Sequence, residues 1–455
     1  MNANTFGYNT GNNGFNGYCV LTGTNNPLPF REDTKAGFVA KVDNGIIYET
    51  FPVDIINPTL YFYKYFTFTI RNIGNVIFSN PVNAVVITAS NCYNCLIENI
   101  ESHAFYGYSF IRLHKCRNSR ITNVILNNTF NSNNEPCYPI IISESSYTTI
   151  SNCDISNQYW HCITTSSSTN GIMTCYTIIE KCKLTSNQQF SYLDHVNTFG
   201  TRVINSTLSS VCLHGLSTIK NCVINQYSGH RSKIRIVANP SDALSKYSIE
   251  NIVFYQESSS YAGTTGIELF GMNLGDTVSN FTFVEIKNIY CNESGSILFS
   301  LTENGKYALG NISIKNIKNF LIQMLYENVT VSASNYYFEI TDCYDRNKLD
   351  ISGKFRFIFI CNSHIKKLSG TFYSLRINNV IISNTLNDIS GTEFNGANIK
   401  STISNSAILN FANINLSQIG DYIFIKDLQT EAGHRYYSYI IDSTGAIIPT
   451  RIVNS

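Results

Sequence analysis

The stretch Tyr192 to Gly215, YLDHVNTFGTRVINSTLSSVCLHG, sets Asp194 beside His195 and places His214 about one short repeat later. A carboxylate next to an imidazole orients the ring and raises its pKa, the arrangement of a general acid/base pair. Arg235 is suited to an acidic sugar or a phosphate, and Glu268 offers a second carboxylate. Glycoside hydrolysis uses two carboxyl groups about 5–10 Å apart. Lyase chemistry needs instead a base and a neutraliser of the uronate carboxylate. The catalytic candidates are therefore Asp194, His214 and Glu268. Candidates for substrate contact are Arg235, Arg112, His161, His195 and Trp160, and His161 and His195 become acid/base candidates if strand register differs by one residue. The plain alternative is that these are polar residues on the solvent face of a long β surface. The period of the chain decides which residues share a face.

A short phrase recurs: an aliphatic residue, one further residue, Asn, then an apolar position. It reads IRNI at Ile70, IENI at Ile97, ITNV at Ile121, ISNCDI at Ile150, INSTL at Ile204, IKNCVI at Ile219, IENIVF at Ile249, and IKNI at Ile286 and Ile314; at Ile179 the phrase IEKCKL has Lys181 in place of Asn. Self-similarity at a period of roughly 20–50 residues means a stacked array. The segments are short, β-branched and broken by Asn, Gly and Ser, which fits strands rather than helical repeats. Asn tolerates the left-handed backbone of a sharp bend, and stacked Asn side chains can hydrogen-bond along the pile. The expectation is an all-β parallel solenoid.

Ahead of each phrase lies a second strand. If Ile111, Ile141, Ile163, Leu193, Leu213, Ile234, Ile267 and Leu298 point inward, strand alternation turns Arg112, Ile142, Thr164, Asp194, His214, Arg235, Glu268 and Phe299 outward in one column. A slip of one residue reverses every side chain.

Composition narrows the function classes. The formal charge is +1 over 455 residues and 14% of residues are charged, so the chain is not built to follow a phosphate backbone. No signal peptide opens the sequence, and no apolar run reaches transmembrane length, so neither nucleic acid binding nor membrane insertion is expected. Of the 14 cysteines, Cys92 and Cys95 have CxxC spacing and are followed by His103 and Cys116, residue types that ligate zinc. Free thiols packed as small hydrophobes are the more economical reading, and no metal or cofactor is expected. Cys153, Cys182 and Cys222, with Ser206 at the equivalent place, directly follow the ladder position and read as one stack of small side chains.

The pattern resembles the right-handed parallel β-helix of the pectate-lyase-like superfamily, over roughly residues 50–345. The segments YWHCI, YLDHV, CLHGL and KIRIV also look like phage and bacterial β-helix proteins that carry a His strand, an Asp-x-His strand and an Arg strand. Here Asp194 and His195 are adjacent, a departure from that spacing, and the Asp-rich calcium loops of many pectate lyases are missing. The implied organisation is an N-terminal arm and first coil (1–50), a parallel β-helix (51–345), shorter coils (346–420) announced by ISG, LSG and ISG, and a β cap or association module (421–455). The resemblance implies a phage tail-spike, tail-fibre or appendage protein, a homotrimer on the virion among other tail proteins, which binds bacterial surface glycan. Tyr106, Tyr108, Tyr159 and Trp160 are candidates for stacking on sugar rings. Cleavage of the glycan, as a hydrolase, lyase or teichoic-acid depolymerase, is left open. The alternative is a free bacterial polysaccharide lyase or glycoside hydrolase.

Overall fold

The computed structural model of the chain describes side chains at 87 and 89, within residues 92–102, 109–127, 138–167, 173–187, 190–195, 198–225, 233–237, 246–256 and 266–269 and at positions scattered from 283 to 380, with strand backbones elsewhere between 17 and 454. His103, Tyr106 and Tyr108 lie outside the described residues. Two compact units divide the chain, 1–234 and 235–455.

The first unit is built by winding. One column of parallel strands runs Leu60–Tyr63, Val85–Ser90, Ser109–His114, Ile140–Ser143, Ile163–Ser166, Tyr192–Asp194 and Val211–His214, each paired with the next. A second column carries the repeated phrase, from Ile46–Pro52 through Thr69–Ile73, Leu96–Ser102, Arg120–Asn127, Thr149–Ser151, Ile178–Glu180 and Arg202–Ile204 to Ser217–Asn225. A third begins past the Asn corner, where the end of Arg120–Asn127 pairs with Asp154–Gln158, then Lys183–Ser186, Thr207–Leu208 and the end of Ser217–Asn225. This is the expected right-handed parallel β-helix. Ahead of it, Gly17–Thr22, Ala36–Asp43 and Ile46–Pro52 pair antiparallel.

In the second unit, parallel pairing links Lys246–Tyr255, Ser279–Leu301, Tyr307–Tyr326, Tyr337–Thr341 and Asp350–Ser390. Single long elements turn a corner: Ser279–Leu301 meets Lys246–Tyr255 through one half and Gly266–Gly271 through the other. The last three strands, Ile423–Asp427, Arg435–Ile441 and Ile447–Asn454, pair antiparallel. Among the described residues no helix is long and apolar enough to cross a membrane.

The repeated phrase folds this way because its Asn sits at the corner. Asn99, Asn123, Asn152, Asn205, Asn221, Asn251, Asn288 and Asn316 have φ between 51° and 57°, and Lys181 joins them at 52°. Their amides link along the axis: Asn123 Nδ2 donates to Asn99 Oδ1 (3.1 Å), Asn221 to Asn205 (3.1 Å), Asn288 to Asn251 (2.8 Å) and Asn316 to Asn288 (2.9 Å). Asp342 and Asn362 carry the same φ sign further along. The aliphatic residue two before each Asn points inward: Ile97, Ile121, Ile150, Ile179, Val203 and Ile219 are all fully buried (Val203 stands two before Asn205).

The residue after the corner also points in. Cys153, Cys182, Ser206 and Cys222 are buried, and Ser206 Oγ accepts the Cys182 amide (3.1 Å). This is packing, as the spacing implied. Replacing Asn123 or Asn221 with Ala is expected to cost about 1–3 kcal/mol, the left-handed backbone contributing ~1–2 and the lost ladder bond ~1. Asn→Gly at the same corner removes most of the backbone part, and denaturant midpoints of the two variants separate the terms.

Candidate functional site

Strand alternation in the first column was read correctly at Arg112 and Thr164 and wrongly at Asp194. Ile141 pairs with Arg112 and with Thr164, and Leu193 pairs with Thr164 and Cys212. The outward column is therefore Arg112, Ile141, Thr164, Leu193 and Cys212; Ile142 and Asp194 belong to the inward set. In the second unit Leu298, not Phe299, stands opposite Glu268.

Asp194 is fully buried. Its Oδ1 accepts from Tyr192 Oη (2.5 Å), Thr165 Oγ1 (2.6 Å) and Thr201 Oγ1 (3.2 Å), and its Oδ2 accepts from the His214 amide (3.3 Å). Burial pushes the carboxyl up to about 6, against the pull of these four donors. The physical reason for the inward turn is Tyr192, two residues earlier and therefore on the same face. Its ring fills the coil interior, fully buried, and its phenol needs the acceptor that Asp194 provides. Asp194 and His214 are thus not successive rungs of one exposed ladder. They meet through the His214 backbone amide, and Asp194 has no path to a polymer on the surface.

The histidines lie on the outward side. His214 is 5% exposed and His161 4% exposed. Burial pushes each imidazole down to about 4, and the charge of His195 adds to the shift in both. His195 itself is exposed, and its amide donates to Thr165 O (3.1 Å). His161 Nδ1 lies 2.6 Å from Phe190 O, so that nitrogen carries the proton and the ring is held as a neutral donor. It stacks on Tyr138 (ring centroids 5.6 Å apart) and meets Trp160 edge-on (5.7 Å), and Trp160 stacks against Tyr159 (6.3 Å). The structure therefore brings together Trp160, His161, His195 and His214, and leaves Arg112 exposed on an earlier rung.

In the second unit Arg235 and Glu268 come together. Arg235 Nε (3.0 Å) and Nη2 (2.9 Å) both donate to Glu268 Oε2. Such a charge-assisted fork fixes both side chains. Glu268 then meets a substrate only in company with its arginine.

A second set of left-handed positions was not read from the sequence. Asn94, Asn118, Tyr147, Tyr176 and Gly200 have φ between 52° and 74° and sit three residues before the inward aliphatic of their coils. Left-handed backbone is an outlier for a bulky residue. Tyr147 and Tyr176 are 56% and 41% exposed, their rings stack with centroids 5.0 Å apart and planes within 14°, and Phe199 meets Tyr176 edge-on at 6.0 Å. A Cβ on Gly200 would come 2.9 Å from Tyr176 Cδ1, so the glycine makes room for the ring. The signal was available: SSYTTI and TCYTII place Tyr at one offset in consecutive coils.

Cys92, Cys95 and Cys116 also converge, with sulfur atoms all within 4.8 Å of one another.

No protein-family model matches the chain, and no curated protein matches its sequence. Among solved structures it is similar to the tailspike protein gp49 from Pseudomonas phage LKA1, with 10% identity over 90% of this chain and 62% of that one, TM-score 0.36. It is also similar to the Gp54 tailspike of Acinetobacter baumannii bacteriophage AP22, solved in complex with A. baumannii capsular saccharide, with 13% identity over 87% of this chain and 61% of that one, TM-score 0.36. The chain spans about three fifths of the length of the tailspikes it matches.

Proposed function

We propose that this chain is the β-helical part of a phage tail-spike, tail-fibre or appendage protein, a homotrimer on the virion joined to other tail proteins, and that it binds a host cell-surface glycan. In this reading residues 1–50 form the arm and entry coil, 51–345 the parallel β-helix, 346–420 a region of shorter coils and 421–455 the cap or association module. The observation that carries it is the exposed, stacked pair Tyr147 and Tyr176, with half-buried Phe199 edge-on beside it. Two tyrosines held in a backbone conformation that disfavours them point to a role beyond packing, because such strain persists where the surroundings and function require it. Flat rings presented to water suit the apolar C–H faces of sugars while their hydroxyls reach polar groups. Trp160, Tyr159 and Tyr138 provide a second aromatic group beside His161.

Cleavage is the weaker part of the reading. His161 and His214 are neutral imidazoles at pH 7, and groups this hard to protonate are weak proton acceptors. With Asp194 sealed inside, the exposed His195 is the member of this group placed for proton transfer. The geometry favours binding.

The test is binding of envelope polysaccharide extracted from candidate hosts. Tyr147→Asn and Tyr176→Asn are expected to weaken binding roughly 2–10-fold per ring, from ~0.5–1.5 kcal/mol of stacking each. Their melting temperatures should hold or rise, since Asn tolerates the left-handed backbone. Unchanged binding in the double variant overturns the platform. Sedimentation that finds one 51.1 kDa species overturns the trimer.

A further inference from the structure

We infer that Cys92, Cys95 and Cys116 form a site for one thiophilic divalent metal ion, of the zinc class, inside the first unit. The three sulfur atoms lie within 4.8 Å of one another, and the residues are 0%, 1% and 0% exposed. Winding and a turn bring them together. Asn94, at φ 53°, folds the chain so that Cys92 and Cys95 face the same side. Tyr93 bridges to Arg117 in parallel, and the Arg117 amide donates to Cys92 O (3.0 Å), so Cys116 lies one rung above Cys92. Neighbouring rungs are about 4.8 Å apart, and tetrahedral bonds of about 2.3 Å put sulfurs about 3.8 Å from one another, so the side chains draw together by up to about 1 Å around one ion.

Two further observations single out this cluster from the other buried cysteines. Ser119 stands one rung above Cys95, since the Arg120 amide donates to Cys95 O (2.7 Å) and Leu96 pairs with Arg120. Its hydroxyl is buried without a hydrogen-bond partner. A hydroxyl placed there can donate to a metal-bound thiolate, the kind of outer contact that metal ligands ordinarily have. Higher in the column of Cys92 and Cys116 the thiols give way to Ser145, whose hydroxyl accepts the Cys116 amide (3.0 Å). The sulfur set is therefore confined to two rungs.

Cysteines bind a metal ion as thiolates. Binding one dication to the three thiols therefore releases three protons to water, with no change of oxidation state.

Cadmium(II) is the probe, added to the full chain under reductant. The expected result is one ion per chain, a thiolate-to-metal absorption band in the ultraviolet, release of about three protons per ion, and a higher melting temperature. Cys116→Ser is expected to weaken binding at least 100-fold. Cys153→Ser, at the stack where Ser206 already stands, is expected to leave the band and stoichiometry unchanged. A wild-type chain with every thiol titratable and no band overturns the inference. So does a band that survives Cys116→Ser, which would place the ion elsewhere.

Discussion

Replacing Asp194 with alanine is expected to lower the melting temperature of the first unit by about 6–12 °C. The carboxylate anchors Tyr192, Thr165 and Thr201 from inside the coil and takes the His214 amide as well. Alanine leaves these donors facing an empty space. Each buried donor without a partner costs about 1–3 kcal/mol, so a total near 3 kcal/mol is a conservative expectation. At about 2–4 °C per kcal/mol for a unit of this size, the shift follows. Asp194→Asn keeps the volume and one acceptor oxygen, and is expected to fall between alanine and wild type. Calorimetry on the full chain checks both. A wild-type melting temperature for Asp194→Ala would remove the carboxylate from its anchoring role and return it to the list of surface groups.

The second large effect is on pH. His161 and His214 are pushed down from 6.5 to about 4 by burial. Their stabilising contribution is fully present above 6.5 and is lost as pH falls through 4. By about 1.4 kcal/mol per pH unit, each accounts for on the order of 3 kcal/mol across that window. Asp194 works in the opposite sense. Its folded value, about 6, lies above its ordinary 3.8, so its contribution is fully present below the unfolded value and is lost as pH rises through 6. That offsets on the order of 3 kcal/mol, and the unit is expected to lose net stability between pH 6.5 and 4. The double variant His161→Gln, His214→Gln isolates the carboxyl: relative to wild type, its melting temperature should hold or rise over the same acid range. If the double variant and wild type fall in parallel, the two imidazoles are not the groups that titrate.

The two effects share one cause, the polar seam within the coil. Thr165, on a strand of the first column, and Thr201, just ahead of a strand of the second, converge on Asp194 because the coil folds both around the same interior. Neither threonine carries any sign in the sequence that it serves a carboxylate 29 or seven residues away.

What the sequence determined by itself is the winding. The Asn of each phrase needs no distant partner to favour a left-handed corner, the aliphatic two residues earlier is inward throughout the described coils, and the residue after the corner is apolar or small. These are local preferences repeated at one offset, so they are legible without coordinates. The Tyr147 and Tyr176 pair was legible in the same way, by its offset. Tertiary structure alone decided which face of YLDHV turns in. Leu193 and Asp194 by type argue for leucine inside, but alternation moves whole sets. The large ring of Tyr192 gains more from the interior than Leu193 does, and it takes Asp194 with it. The donors that make a buried carboxylate tolerable come from other coils, so its position depends on contacts that exist only once the coils have stacked.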